Sequence, residues 1–188
     1  MSTRSPPTKA PHRRRVRCTD QGFTMVELMV TVLIASILMA VAVPSLGAFI
    51  NNSRLRASQG ELLAALMLAR SEATKRGKPV GVVATLSAVN FSGGWQVVID
   101  SDDSGTLDPA TDLVVRKYPA VAGNQTVLAK YRGTTTPVTE LVFNARGFLQ
   151  KSAVVFTVCG QAAYAKGFQI EIEPVGLADV KEVPNLCS

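Results

Sequence analysis

Few residues in this 188-residue chain are of a type and spacing that could do chemistry. The single histidine is His12, near the N-terminus. Residues 23–188 therefore carry no imidazole, which excludes a Ser-His-Asp or Cys-His nucleophile pair and a His-ligated zinc site there. The three cysteines are Cys18, Cys159 and Cys187. The acidic run Asp100-Ser101-Asp102-Asp103-Ser104-Gly105-Thr106-Leu107-Asp108 offers oxygen ligands at the first, third and fifth places of a calcium loop, with glycine at the sixth. Its twelfth place, where a bidentate Glu belongs, is Thr111, and Asp112 comes one residue late. A solvated hairpin loop, with Asp and Gly present for turn geometry, is the preferred reading. No metal or cofactor is expected, and calcium on Asp100, Asp102, Ser104 and Asp108 is the lesser alternative. The last candidate is Glu27, an acid at the head of a long uncharged stretch, which costs about 2.5–3.5 kcal/mol if held at mid-bilayer.

The elements that must position these residues follow from charge and hydropathy. The chain carries 20 Lys and Arg against 14 Asp and Glu, a net charge of +6. Six of those bases and one acid lie in residues 1–22, leaving 14 bases and 13 acids, a net charge of +1, for residues 23–188. With 47% apolar residues the chain is not intrinsically disordered. No charge occurs from Leu28 to Ser53. As a helix, Phe23 to Ile50 is roughly 42 Å long at about 1.5 Å per residue, enough to cross a hydrocarbon core of about 30 Å. Arg13, Arg14, Arg15 and Arg17 upstream place the N-terminus in the cytoplasm and the remainder outside it.

Beyond Ser53 the pattern turns amphipathic, with Leu55, Leu62, Leu66, Ala69 and Ala73 on one stripe widened by Leu63 and Met67. Arg54, Arg56, Arg70, Lys75, Arg76 and Lys78 read as a solvated basic face. Lys75 and Arg76 suit a helix end, Gly77 its cap and Pro79 its stop. One helix from Phe23 to Arg76 is expected, bent at Pro44. From Pro79 the period becomes extended. Strands are expected at Val80–Thr85, Trp95–Asp100, Leu113–Tyr118, Thr126–Tyr131, Glu140–Phe143, Val154–Val158 and Phe168–Glu173, forming antiparallel hairpins in one or two sheets.

At the junction of leader and apolar run, Gly22-Phe23-Thr24-Met25-Val26-Glu27-Leu28 resembles the class III signal of type IV pilins and pseudopilins. The resemblance implies cleavage after Gly22 by a prepilin peptidase and N-methylation of the new terminus, Phe23. It also implies that Glu27 neutralises the terminal amine of a neighbouring subunit, which sets the register of assembly. Gly94-Trp95-Gln96-Val97-Val98-Ile99-Asp100 before an acidic loop, Phe143-Asn144-Ala145-Arg146-Gly147, and a glycine turn at Gly176 resemble the heads of the GspH/FimT/FimU group. The implied fold class is α+β: a long N-terminal helix, transmembrane in its first half, packed on an antiparallel β-sheet head. The expected divisions are a cytoplasmic leader 1–22, a transmembrane or filament-core half-helix 23–50, an amphipathic half-helix 51–78 and a periplasmic head 79–188.

With the leader removed, Cys18 goes with it. Cys159 and Cys187 then read as one disulfide in an oxidising periplasm, the alternative being two thiols that never meet. The resemblance implies a structural subunit of a type IV pilus. The alternatives are a GspH-like pseudopilin of a type II secretion system, a DNA-binding pilin and a membrane-anchored periplasmic enzyme. The expected partners are other minor pilins or pseudopilins, the major pilin, the prepilin peptidase/methyltransferase and the inner membrane. Nucleic acid is not expected, because Gly176-Leu177-Ala178-Asp179-Val180-Lys181 lacks the arginines that DNA-binding relatives carry there.

Overall fold

The computed structural model describes residues 22–85, 90–160, 166–184 and 186–187, without the side chains of Val41, Pro44, Ser45 and Lys166. The basic leader before Gly22, Cys18 and residues 161–165 lie outside the described residues. The chain divides into two compact units, 1–42 and 43–188. Helix α1 (Met25–Arg76) contributes to both. It begins two residues later than expected because Thr24 caps it, and it ends at Gly77, as expected. The Gly77 N–H bonds the carbonyl of Ala73 at 2.9 Å with φ +67°, a left-handed cap that glycine adopts without a Cβ penalty.

In the second unit Leu55, Leu62, Leu66, Ala69 and Ala73 are all buried, as the stripe predicts, and Ser58 and Ala65 join them. Against this face lie two antiparallel four-stranded sheets. The first has the order β3-β2-β1-β5, built from β1 (Val80–Ala84), β2 (Trp95–Ile99), β3 (Leu113–Tyr118) and β5 (Glu140–Phe143). The second runs β4-β6-β7-β8, with β4 (Thr126–Tyr131), β6 (Val154–Cys159), β7 (Lys166–Ile172) and β8 (Ala178–Pro184). Among the described residues eight strands form where seven are predicted, and β8 is the addition. It is an edge strand in which Ala178 and Val180 pack against the core between exposed Asp179 and Lys181, but exposed Glu182 ends that alternation after four residues.

Inward residues of both sheets share one core with the helix stripe. Val127, Ala129, Phe156, Val158, Ile170 and Ile172 are buried from the second sheet, and Val80, Val82, Trp95, Val97, Leu141 and Phe143 from the first. Phe91 meets Phe156 edge-on at 5.2 Å. Trp95 stacks on Tyr118 at 5.6 Å. The Ser58 hydroxyl donates to Gln125 Oε1 at 2.6 Å, a buried bond that fixes helix against β4.

Strand β2 is buried on both faces. Next to it, Leu107 folds back onto β1: a Cβ built on Gly81, which pairs with Val98 of β2, would collide with Leu107 Cδ1. A glycine inside β1 thus leaves room for the acidic loop to lie over the sheet.

Among the described residues no helix is long and apolar enough to cross a membrane. The membrane span expected over residues 23–50 is therefore not shown by the structure.

Candidate functional site

Gly22, Phe23 and Thr24 precede the first turn of α1. Thr24 Oγ1 accepts a hydrogen bond from the Glu27 N–H at 3.2 Å, and the Thr24 carbonyl takes the Leu28 N–H at 3.1 Å. Thr24 is the N-cap and Glu27 stands at N3, the position where a carboxylate also complements the helix dipole. Glu27 therefore has a local reason for its place within one chain, which the sequence reading missed although Thr-x-x-Glu was its signal. From Phe23 to Ile50 the large apolar side chains are exposed on all sides, Phe23 by 82%. A bare apolar helix of this kind is stable only against lipid or other helices. α1 is helical through Pro44, whose side chain lies outside the described residues. The bend there stays an expectation.

The acidic loop is held by its own backbone. Asp100, almost fully buried, accepts the N–H groups of Ser104 at 3.1 Å and Gly105 at 2.9 Å. Asp102 also accepts the Ser104 N–H, at 3.0 Å. Asp112 accepts from the Ser101 and Asp108 N–H groups at 2.8 and 2.9 Å. Bonding to the Ser104 hydroxyl and N–H keeps the Asp102 carboxyl below its ordinary range. The Asp108 and Ser101 N–H groups do the same for Asp112. Asp103 adopts φ 59° and Gly105 φ 81°, giving the tight path that these bonds require.

Asp100, Asp102 and Asp112 bring one oxygen each within 4.8 Å of one another. Asp108 stands outside this group and caps Ala110 N–H instead, while the Ser104 hydroxyl turns to Thr106. Of the predicted carboxylates, Asp100 and Asp102 come together, with Asp112 in place of Asp108. The positive charge the loop does meet is Lys78, whose Nζ lies 3.1 Å from both Asp103 Oδ2 and the Ser101 carbonyl.

A second constellation centres on Arg70. Its Nε donates to the Gly147 carbonyl at 3.1 Å and its Nη2 to the Val175 carbonyl at 3.0 Å. One turn follows β5 of the first sheet, the other joins β7 and β8 of the second. Gly147 and Gly176 have φ of +77° and +78°, and both are buried. A Cβ on Gly176 would strike the Gly147 carbonyl and approach Arg70 Nε to 2.8 Å. The guanidinium thus locks helix and both sheets at one point. The sequence reading placed Arg70 on a solvated face, and this is corrected here: the side chain turns inward to two orphan carbonyls.

The Cys159–Cys187 disulfide forms, with Cα atoms 5.6 Å apart. It ties the tail to the end of β6. Opposite Cys159 in the ladder is Gly167, where a Cβ would lie 2.5 Å from Cys187 Sγ. The missing side chain is the space through which the tail crosses.

A family profile described as "Type II transport protein GspH" matches residues 59–176, well over half of the chain. The chain belongs to the GspH family. A second profile, the "Prokaryotic N-terminal methylation motif", matches residues 17–43 and so includes Gly22, Phe23 and Glu27. Among solved structures, the type IV minor pilin FimU of Pseudomonas aeruginosa (strain PAO1) in space group P21 superposes with a TM-score of 0.56. It is 22% identical and covers 71% of this chain and 92% of that chain. The same pilin in space group P65 gives 0.54 at 22% identity, with 68% and 92% covered. The minor pseudopilin EpsH from the Type 2 Secretion System of Vibrio cholerae gives 0.48 at 13% identity, covering 68% and 96%. No curated protein matches by sequence. At such identities the likeness to FimU is one of fold. Together with the GspH and methylation profiles it makes this chain a type IV minor pilin or pseudopilin. Family and fold are those of structural pilin subunits.

Proposed function

We propose that this chain is a FimU-like minor pilin of a type IV pilus. It enters the inner membrane with its N-terminus in the cytoplasm, is cut after Gly22 and methylated on Phe23, and joins the pilus tip or priming complex. The observation that carries this reading is the exposed apolar helix behind Gly22, charged only at Glu27 before Arg54, coinciding with the methylation motif. Residues 23–50 would lie in the membrane before extraction and in the filament core afterwards. There Glu27 would meet the free Phe23 amine of a neighbouring subunit, and only one axial stagger brings those charges together. The partners would be other minor pilins and the major pilin, with prepilin peptidase acting once.

The disulfide-closed tail and the fold shared with FimU support a pilus subunit. The family description favours the second reading, a GspH-like pseudopilin of type II secretion. A DNA-binding role has less support, because the mature chain carries a net charge of only +1 and no arginine follows Gly176.

Deleting the gene and restoring it with wild type or Glu27→Ala tests the proposal. Wild type should restore piliation and appear in sheared filaments. Glu27→Ala should insert and be cleaved but be absent from them. Normal piliation with lost exoprotein secretion would replace the pilus reading by the secretion one, and wild-type incorporation of Glu27→Ala would reduce Glu27 to its capping role.

A further inference from the structure

On the face of the second sheet turned away from α1 lies a cleft of about 440 Å³. Its floor is Leu128 of β4 and Thr157 of β6, which stand opposite one another in the ladder. Thr135 and Pro137, from the segment between β4 and β5, form one wall, and Leu186 of the tail forms the other. The Cys159–Cys187 bond holds the tail over this face, where a Cβ on Gly167 would lie 3.2 Å from Leu186 Cδ2. Leu128 is 47% exposed although it lies mid-strand. Three apolar side chains thus line a space that is open to solvent.

Lys130 is the one charged residue of this lining. Ile170, Ile172, Ala178 and Val180 face the core, which leaves Glu171, Asp179 and Lys181 on the outward face with Lys130. Arg132 is spent on Glu171 at 2.7 Å and on Glu173, and Lys181 on Asp179 at 2.7 Å. Among the described charges of this face, Lys130 alone meets no partner. One unpaired ammonium answers one negative charge. A carboxylate supplies that, whereas a doubly charged phosphate asks for a second cation, and Arg132 is already committed. A bulky apolar side chain between Leu128, Pro137 and Leu186, with a carboxylate beside it on Lys130, fills the cleft.

We infer that this cleft docks another subunit of the pilus or pseudopilus, through an exposed apolar side chain and a neighbouring Asp or Glu of that subunit. The inference rests on the chain's membership of a family of assembling subunits, and not on the choice between pilus and secretion. A second copy of this chain does not offer that pair from its head. Among the described exposed carboxylates there, Asp102 and Asp108 accept backbone N–H groups, and Asp103, Asp179 and Glu182 meet cations. Glu61 is left, and one turn away on α1 stand Ala57, Ser58, Ala64 and Ala65, none of them bulky.

The test treats sheared filaments and inner membranes of the native host with a water-soluble carbodiimide, which joins an amine to a carboxylate already in contact, and sequences the linked peptides. Lys130 should be joined to an Asp or Glu beside a bulky apolar residue of a different pilin-type chain. Leu186→Asp, which sets a like charge in the apolar wall, should lower that link about fivefold or more. Lys117→Gln, on β3 of the other sheet, should leave it unchanged. Lys130→Glu should lose co-purification with the linked subunit, and Lys130→Arg should retain it. Lys130 left unlinked, linked only within its own chain or to a second copy, or linked equally in Leu186→Asp would overturn the inference, as would co-purification that Lys130→Glu does not reduce. A chain absent from filaments but linked through Lys130 in membranes counts against the pilus reading alone. A chain present in filaments with Lys130 unlinked overturns the docking alone.

Discussion

At the scale of single residues, Arg70 couples parts of the chain that are far apart in sequence. Its two carbonyl acceptors lie 77 and 105 residues downstream. A charged donor to a carbonyl contributes about 1.5–3 kcal/mol, less where solvent reaches it. Arg70→Ala should destabilise the head by roughly 1–3 kcal/mol in chemical denaturation. Gly176→Ala should cost more than Gly147→Ala, because only the former meets a carbonyl as well as a left-handed backbone. Equal stability of Arg70→Ala and wild type would remove the lock.

Asp112 carries a prediction in pH. Its carboxyl is held below the ordinary aspartate value by the Asp108 and Ser101 N–H groups. A lowered folded-state value means stability that is present above the unfolded value of about 3.9 and is lost as pH falls through the folded one. The melting temperature should therefore fall as pH drops from about 5 to about 3, and Asp112→Asn should flatten that fall. An unchanged slope in the variant would show that the loop bonds do not report on stability.

At the scale of elements, the disulfide, β8 and the helix can be compared with what the sequence foretold. The amphipathic half of α1 was legible because Leu55, Leu62, Leu66, Ala69 and Ala73 repeat at helical spacing and Gly77 and Pro79 end the run. Strands β3, β4 and β5 were legible to the residue, since apolar and β-branched residues alternate between turn glycines. β8 was not: Ala178 and Val180 alternate with exposed Asp179 and Lys181 for only four residues before Glu182, too short a pattern to mark this edge, which pairs with β7 along its whole length. The division into two sheets was also hidden, because β5 pairs with β1 across three intervening strands of sequence. In the acidic loop the turn residues were legible, yet Asp112 joins Asp100 and Asp102 in place of Asp108 because the loop closes back on itself through the Ser101 and Asp108 N–H groups, which no local pattern encodes.

The Cys159–Cys187 bond closes 27 intervening residues and contributes roughly 3–4 kcal/mol by chain entropy, an upper estimate. Cys187→Ser should lower the denaturation midpoint and expose the tail beyond β8 to limited proteolysis, leaving membrane insertion unchanged. A protease-resistant tail in that variant would mean that strand pairing alone secures it.

At the scale of the whole molecule, the head satisfies itself and the first half of α1 does not. The head buries its helix stripe between two sheets, whereas Phe23 to Ile50 presents apolar side chains that nothing among the described residues covers. A subunit built this way needs one environment for its helix during synthesis and another during assembly, and the proposed cleavage after Gly22 would mark the passage between them. The central claim is therefore tested most directly by the intact mass and N-terminal sequence of the working protein, isolated from the inner-membrane and filament fractions. The account predicts a chain that begins at N-methyl-Phe23. An N-terminus at Met1 in the filament fraction, or a cut near Ala42 that discards the apolar helix, would contradict it.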